Sequence, residues 1–235
     1  MTALGEFALW IALPVAFWGM TMGFVGGYQR RGDLVLSAER SVYIVFGLLV
    51  VASLGVVNAF LKDQFQYLYV ASYSNRDLDP YYKISGLWAG QTGSLLFWAV
   101  LLALFACFAV YQNRDRNREL MPNVIGVLQG ILAFFLVVLL FADVNPFEQL
   151  GFTPQDGQGL NPQLQSYWMT IHPPVLYLGF TAFAIPFAFA MSALLTGKTD
   201  SRWIVLTRRW TLISWLFLSI GIILGMRWAY EELGW

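Results

Sequence analysis

Six long apolar runs constrain this chain more than any other feature. They fall at roughly Phe7–Val25, Val42–Leu61, Ser94–Tyr111, Val124–Phe141, Val175–Leu195 and Leu212–Met226. Each approaches the ~20 residues a helix needs to cross a bilayer. The runs are unbroken rather than alternating, which selects helices over a barrel. Only 12% of the 235 residues are charged and 58% are apolar, against about 25% charged in a soluble domain. The expected fold is therefore all-α: a single polytopic transmembrane domain over residues 1–235 with about six spans. Glu6 precedes the first run and no positive residue does, so that run reads as a first helix rather than a cleavable leader.

Lys and Arg in the connecting loops set the expected orientation. Ten lie in the loops after spans one, three and five, including Arg30, Arg31, Arg118 and Lys198, and four on the opposite side. The basic side is expected to be cytoplasmic. Both termini and two long loops, about 62–93 and 142–174, then face the periplasm of a bacterial inner membrane. Long connections are usually functional, and these are rich in Tyr, Trp and Pro, so the working surface is expected there. An aromatic excess on that face suggests a platform for a flat apolar ligand, over and above an interfacial belt.

Several chemistries are excluded or disfavoured. The formal charge is zero, with no basic tail for nucleic acid. Cys107 is the sole cysteine and lies mid-span, so internal dithiol chemistry is absent. One histidine does not make a zinc site, and no hydrolytic triad is evident. No ionisable residue lies deep in a span, which argues against coupled transport. The segment Trp88-Ala89-Gly90-Gln91-Thr92-Gly93-Ser94 opens the third span without a following Lys, so it is a tight turn rather than a phosphate loop. Thr92 or Ser94 is expected to cap that helix.

The one histidine, His172, stands before Pro173 and Pro174 at the start of the fifth run. Proline favours the first helical turn and disfavours helix at the residue before it. His172 is therefore expected at the mouth of a span, just outside the hydrocarbon. A lone imidazole there can supply one axial ligand to haem iron. Trp and Tyr rings would pack on the porphyrin, and Arg227 near the same surface would meet propionates.

The chain resembles the CcmF-type cytochrome c haem lyases of the cytochrome c maturation system. The resemblance rests on Tyr67-Leu68-Tyr69-Val70-Ala71-Ser72-Tyr73-Ser74-Asn75, Tyr82-Lys83 and Trp88 to Trp98. It continues through Leu160-Asn161-Pro162, Ile171-His172-Pro173-Pro174-Val175-Leu176-Tyr177-Leu178-Gly179, Trp210-Thr211 and Trp228-Ala229-Tyr230-Glu231-Glu232-Leu233-Gly234-Trp235. It implies a chain matching the N-terminal part of such a protein. Gly234-Trp235 matches the lead-in to the tryptophan-rich WWD segment, whose core, second periplasmic histidine and membrane haem b ligands belong to the C-terminal remainder. Ala89 and Thr92 depart from the family's usual residues.

The resemblance also implies that His172 is a metal ligand to haem b, with Trp168, Trp228, Tyr230, Trp235 and Arg227 as binding residues. It implies a CcmE-type haem chaperone, CcmH/CcmI-type presenting proteins and apocytochrome c as partners. The expected role is to position haem for thioether attachment to CXXCH cysteines. The alternative is a non-catalytic membrane scaffold or haem-transfer subunit that anchors partner proteins.

Overall fold

The computed structural model describes residues 1–234. Among them are nine α-helices: α1 (Thr2–Gln29), α2 (Gly32–Leu61), α3 (Leu68–Tyr73), α4 (Pro80–Ala89), α5 (Gln91–Asn113), α6 (Met121–Phe141), α7 (Tyr167–Ala182), α8 (Ala184–Thr196) and α9 (Arg202–Leu233). Six spans are long and apolar enough to cross a membrane, with α7 and α8 together forming the fifth. The fold is an all-α polytopic membrane protein, as expected.

The helices extend beyond the apolar runs at most ends, because polar flanking residues continue the helix into the interface. The fifth span departs from the expected single helix. It breaks at Phe183, whose N–H bonds Phe180 O in a tightened turn. Pro186 explains the break: it cannot donate to the Ala182 carbonyl, and its ring crowds that group.

Helices α1, α2, α5 and α6 form the core. Apolar lipid tails give no net drive for helix association, so close backbone packing must supply it. α1 buries a stripe of small residues, Gly5, Ala8, Ala12, Ala16, Gly19, Gly23 and Gly26. Their three- and four-residue spacing keeps them on one face. A methyl added at Gly5 would come 3.0 Å from the Gly55 Cα on α2, and one at Gly23 would come 2.9 Å from the Gly126 nitrogen on α6. α7 and α9 pack as an antiparallel pair beside this core. Trp98 of α5 joins the two parts, with ring centroids 4.7 Å from both Phe135 of α6 and Phe180 of α7.

The connections fall into two groups at opposite ends. At the basic end, α1 turns into α2 through Arg30 in the left-handed region (φ 54°), with Arg31 N–H bonding Gly26 O. Ser192 Oγ donates to Leu120 O and Lys198 pairs with Glu119, tying α8 to the start of α6. At the other end the two long connections fold together. Leu68 N–H bonds Glu148 O, and Arg76 bonds Gln155 O and the Asp156 carboxylate. Buried Lys83 pairs with Asp63 at 2.6 Å.

That assembly uses up two of the aromatic side chains expected to form an open platform. Tyr67 and Tyr69 are buried, against Phe147 and Phe60 respectively. The Tyr69 hydroxyl donates to Gly86 O and accepts from Gly90 N–H, and burial pushes its phenol upward from the ordinary range. A Cβ on Gly93 would lie 2.4 Å from that hydroxyl, and one on Gly90 would lie 2.4 Å from the Tyr73 ring. The glycines of the Trp88–Ser94 segment thus let the backbone close on two tyrosines. Neither Thr92 nor Ser94 caps α5: the cap residue is Gly90, and Ser94 Oγ donates to Trp88 O instead.

Candidate functional site

His172 lies inside α7 rather than at its mouth, with Pro173 and Pro174 also helical. The helix begins at Tyr167, so the two prolines sit nearly two turns in. They leave the Met169 and Thr170 carbonyls without their usual intrahelical donors. Packing against α9 holds this unfavourable stretch in place.

The α7–α9 contact has a fixed antiparallel register built on glycines. An added Cβ on Gly179 would lie 2.4 Å from Leu218 N, and one on Gly221 would lie 2.7 Å from Leu176 Cα. One turn further, a Cβ on Gly225 would lie 2.6 Å from His172 Cε1 and 2.9 Å from Nδ1. The half-buried imidazole therefore occupies the volume that any larger residue at 225 would fill. Its Nδ1 lies 2.7 Å from the Gly221 carbonyl oxygen. A carbonyl can only accept, so Nδ1 carries the proton. In the neutral ring Nε2 is then left with its lone pair.

The other residues expected at the site gather at the same end of the pair. Arg227 lies 5.8 Å from the Trp168 ring centroid and 5.6 Å from that of Tyr230. It also pairs with Glu231 at 2.5 Å. Trp228 Nε1 donates to Gln163 O across 3.1 Å, tying α9 to the turn before α7. That turn is set by Asn161, whose side chain accepts from Gln163 N–H ahead of Pro162. Trp168 stacks edgewise on exposed Tyr167, with centroids 5.3 Å apart. Trp235 lies outside the described residues. Trp168, Arg227 and Tyr230 are thus in contact, and Trp228 lies at the same end of the α7–α9 pair as His172.

Gly221 and Gly225 are additions to the expected set. Their signal was present as Gly221-Ile222-Ile223-Leu224-Gly225, a small-x-x-x-small pattern that marks close helix packing in membranes. Among the described residues no three His, Cys, Asp or Glu side chains group as a metal site. The arrangement therefore offers one nitrogen ligand beside aromatic rings and a guanidinium, a donor set suited to one face of haem iron.

Residues 88–235 match the family model described as cytochrome C assembly protein. The cytochrome c-type biogenesis protein CcmF of Pseudomonas aeruginosa is 40% identical over 233 residues, covering 99% of this chain and 35% of that protein. CcmF of Escherichia coli K12 is 35% identical over 236 residues, covering 100% of this chain and 36% of that protein. A solved structure titled cytochrome c heme lyase CcmF superposes with a TM-score of 0.85 at 31% identity, covering 100% of this chain and 37% of that one. This chain spans about a third of the length of these relatives.

Proposed function

The chain belongs to the cytochrome c assembly protein family, and from that membership we propose that it holds haem, its substrate, for attachment to apocytochrome c. A role in cytochrome c maturation follows from its CcmF relatives. In the proposed reading His172 Nε2 is an axial ligand on the outer face of the bacterial inner membrane. The hydrogen bond from Nδ1 to Gly221 O carries this reading. A ring whose other nitrogen is already committed to a carbonyl is fixed in tautomer and orientation, and it is more basic toward a metal.

Trp168, Trp228 and Tyr230 supply apolar faces beside that nitrogen, and Trp235 follows them in sequence. Arg227 pairs with Glu231 and would exchange that carboxylate for a haem propionate. When bound, haem brings vinyl groups that accept the two cysteine thiols of a CXXCH segment. The share of this chain is to orient the group and set the electron density at its iron. A CcmE-type chaperone would deliver haem, CcmH/CcmI-type proteins would present the apocytochrome, and the remaining two thirds of a CcmF-type protein would supply the second ligand.

Co-expression with that remainder tests the proposal. Cytochrome c maturation is expected to be restored, and His172→Ala to abolish it while the protein still reaches the membrane. Maturation that survives His172→Ala would leave only the scaffold reading. The chain alone is expected to bind haem weakly. A stable bis-histidine spectrum from it would contradict the assignment, because the sequence has only one histidine.

A further inference from the structure

At the basic end of the molecule a cleft of about 870 Å³ opens between the α1–α2 turn, the start of α6 and the end of α8. It is unrelated to the histidine site. Arg30, Arg31, Arg118 and Lys198 line it, with Glu119 as the one carboxylate in the lining. Lys198 is paired with Glu119, and Arg31 with Asp33 just outside. Among the described residues, Arg30 and Arg118 have no carboxylate within ion-pair distance. Arg30 is therefore left over at this concave site, and Arg118 is offset only at longer range by Glu39, outside the lining, with the hydroxyl-bearing Tyr28 beside them, 91% exposed.

The cleft is graded along the helix axes. Phe24 lies six residues before Arg30 on α1, about 9 Å deeper along the helix. Val35 in the first turn of α2 and Leu195 in the last turn of α8 line the cleft just inside its charged rim. Charge at the helix ends and apolar wall below them match an amphipathic ligand: an anionic head at the interface and chains along the helices. A soluble anion would use only the rim. Gly26 and Gly27 let the end of α1 close on α2 and α6 beside the cleft: an added Cβ would come 3.0 Å from Val35 and from Pro122 respectively.

We infer that this cleft is a binding site for the phosphate headgroup of an anionic phospholipid. Arg30 and Arg118 contact the phosphate, and Phe24, Val35 and Leu195 accept the upper acyl chain. A basic pocket between membrane helices at the lipid surface is the arrangement that such headgroups select. The site gives the basic loops a role beyond setting orientation: lipid bridging the α1–α2 turn to the α5–α6 and α8–α9 connections.

Native mass spectrometry of the purified chain in detergent tests this. Phosphatidylglycerol is expected to be retained at least fivefold better than phosphatidylethanolamine. Arg30→Gln and Arg118→Gln are each expected to weaken retention about fivefold, as loss of one interfacial cation implies. Arg30→Lys with Arg118→Lys keeps both charges and most of the binding, which separates charge loss from misfolding. Arg208→Gln with Arg209→Gln removes two cations outside the cleft and is expected to change nothing. Equal retention of the two lipids would overturn the site, as would equal weakening by the Arg208/Arg209 control. Displacement of phosphatidylglycerol by inorganic phosphate at equal concentration would overturn the lipid assignment.

Discussion

Gln129 and His172 both meet a neighbouring helix at a glycine. Gln129 of α6 is fully buried, and its Nε2 donates to Ser41 Oγ of α2 across 2.9 Å. A Cβ on Gly19 of α1 would lie 2.1 Å from that hydroxyl and 2.8 Å from Nε2. Ser41 Oγ donates in turn to Ala38 O, and Gln129 Oε1 has no partner. The chain of bonds ends inside the bundle. His172 is only half-buried, seated on Gly225 in the peripheral α7–α9 pair. Its inner nitrogen is held by Gly221 O and its outer one is left over. The same steric device thus produces a sealed polar pair in the core and a half-open ligand at the rim. A sealed group can only affect stability and helix register. A half-open one can meet a ligand without unfolding anything.

Substitution at the two glycines should separate the rim site from the core pair most visibly. Gly225→Val puts carbon where the imidazole sits. We expect haem retention in the co-expressed assembly to fall by about ten- to a hundredfold, the usual cost of disturbing a ligand's support. Thermal unfolding in detergent should move less than haem retention does, because Gly225 lies toward the outer end of α9, away from the Trp210 contact with the core. Gly19→Ala should do the reverse. Overpacking against Ser41 and Gln129 should cost about 1–3 kcal/mol, read as a lower midpoint, with iron coordination unchanged. Gln129→Leu is the mildest test. It removes one buried hydrogen bond and one unpartnered oxygen together, so stability should stay within about 1 kcal/mol. A large loss there would mean that the sealed pair does more than fill space.

The parts legible in the sequence are those governed by local rules. Span number followed from hydropathy, and the grouping of connections at two ends followed from basic residues and loop length. Trp168, Arg227, Trp228 and Tyr230 were legible as residues at the ends of the fifth and sixth spans, where α7 and α9 bring them together. What escaped depended on contacts between distant residues. Gly221 lies 49 positions from His172, and nothing local joins them. The helical state of His172 went against the local rule for residues before proline, because docking on α9 outweighs that preference. The break at Phe183 could have been read from Pro186, but the unbroken apolar run masked it. The fate of Tyr67 and Tyr69 turned on how two loops fold onto each other, which no single segment encodes.

The sole histidine makes the central claim directly measurable. In the chain labelled with 15N-histidine, two-bond proton–nitrogen correlation spectra should contain one imidazole. At a pH where the ring is neutral, we predict the Nδ1–H tautomer, with Nε2 showing the shift of an unprotonated nitrogen. Free imidazole side chains in water disfavour that tautomer, and Gly221 O accounts for it here. An Nε2–H tautomer would mean that the outer nitrogen carries the proton, and the account of His172 as a ligand held ready for iron would be contradicted.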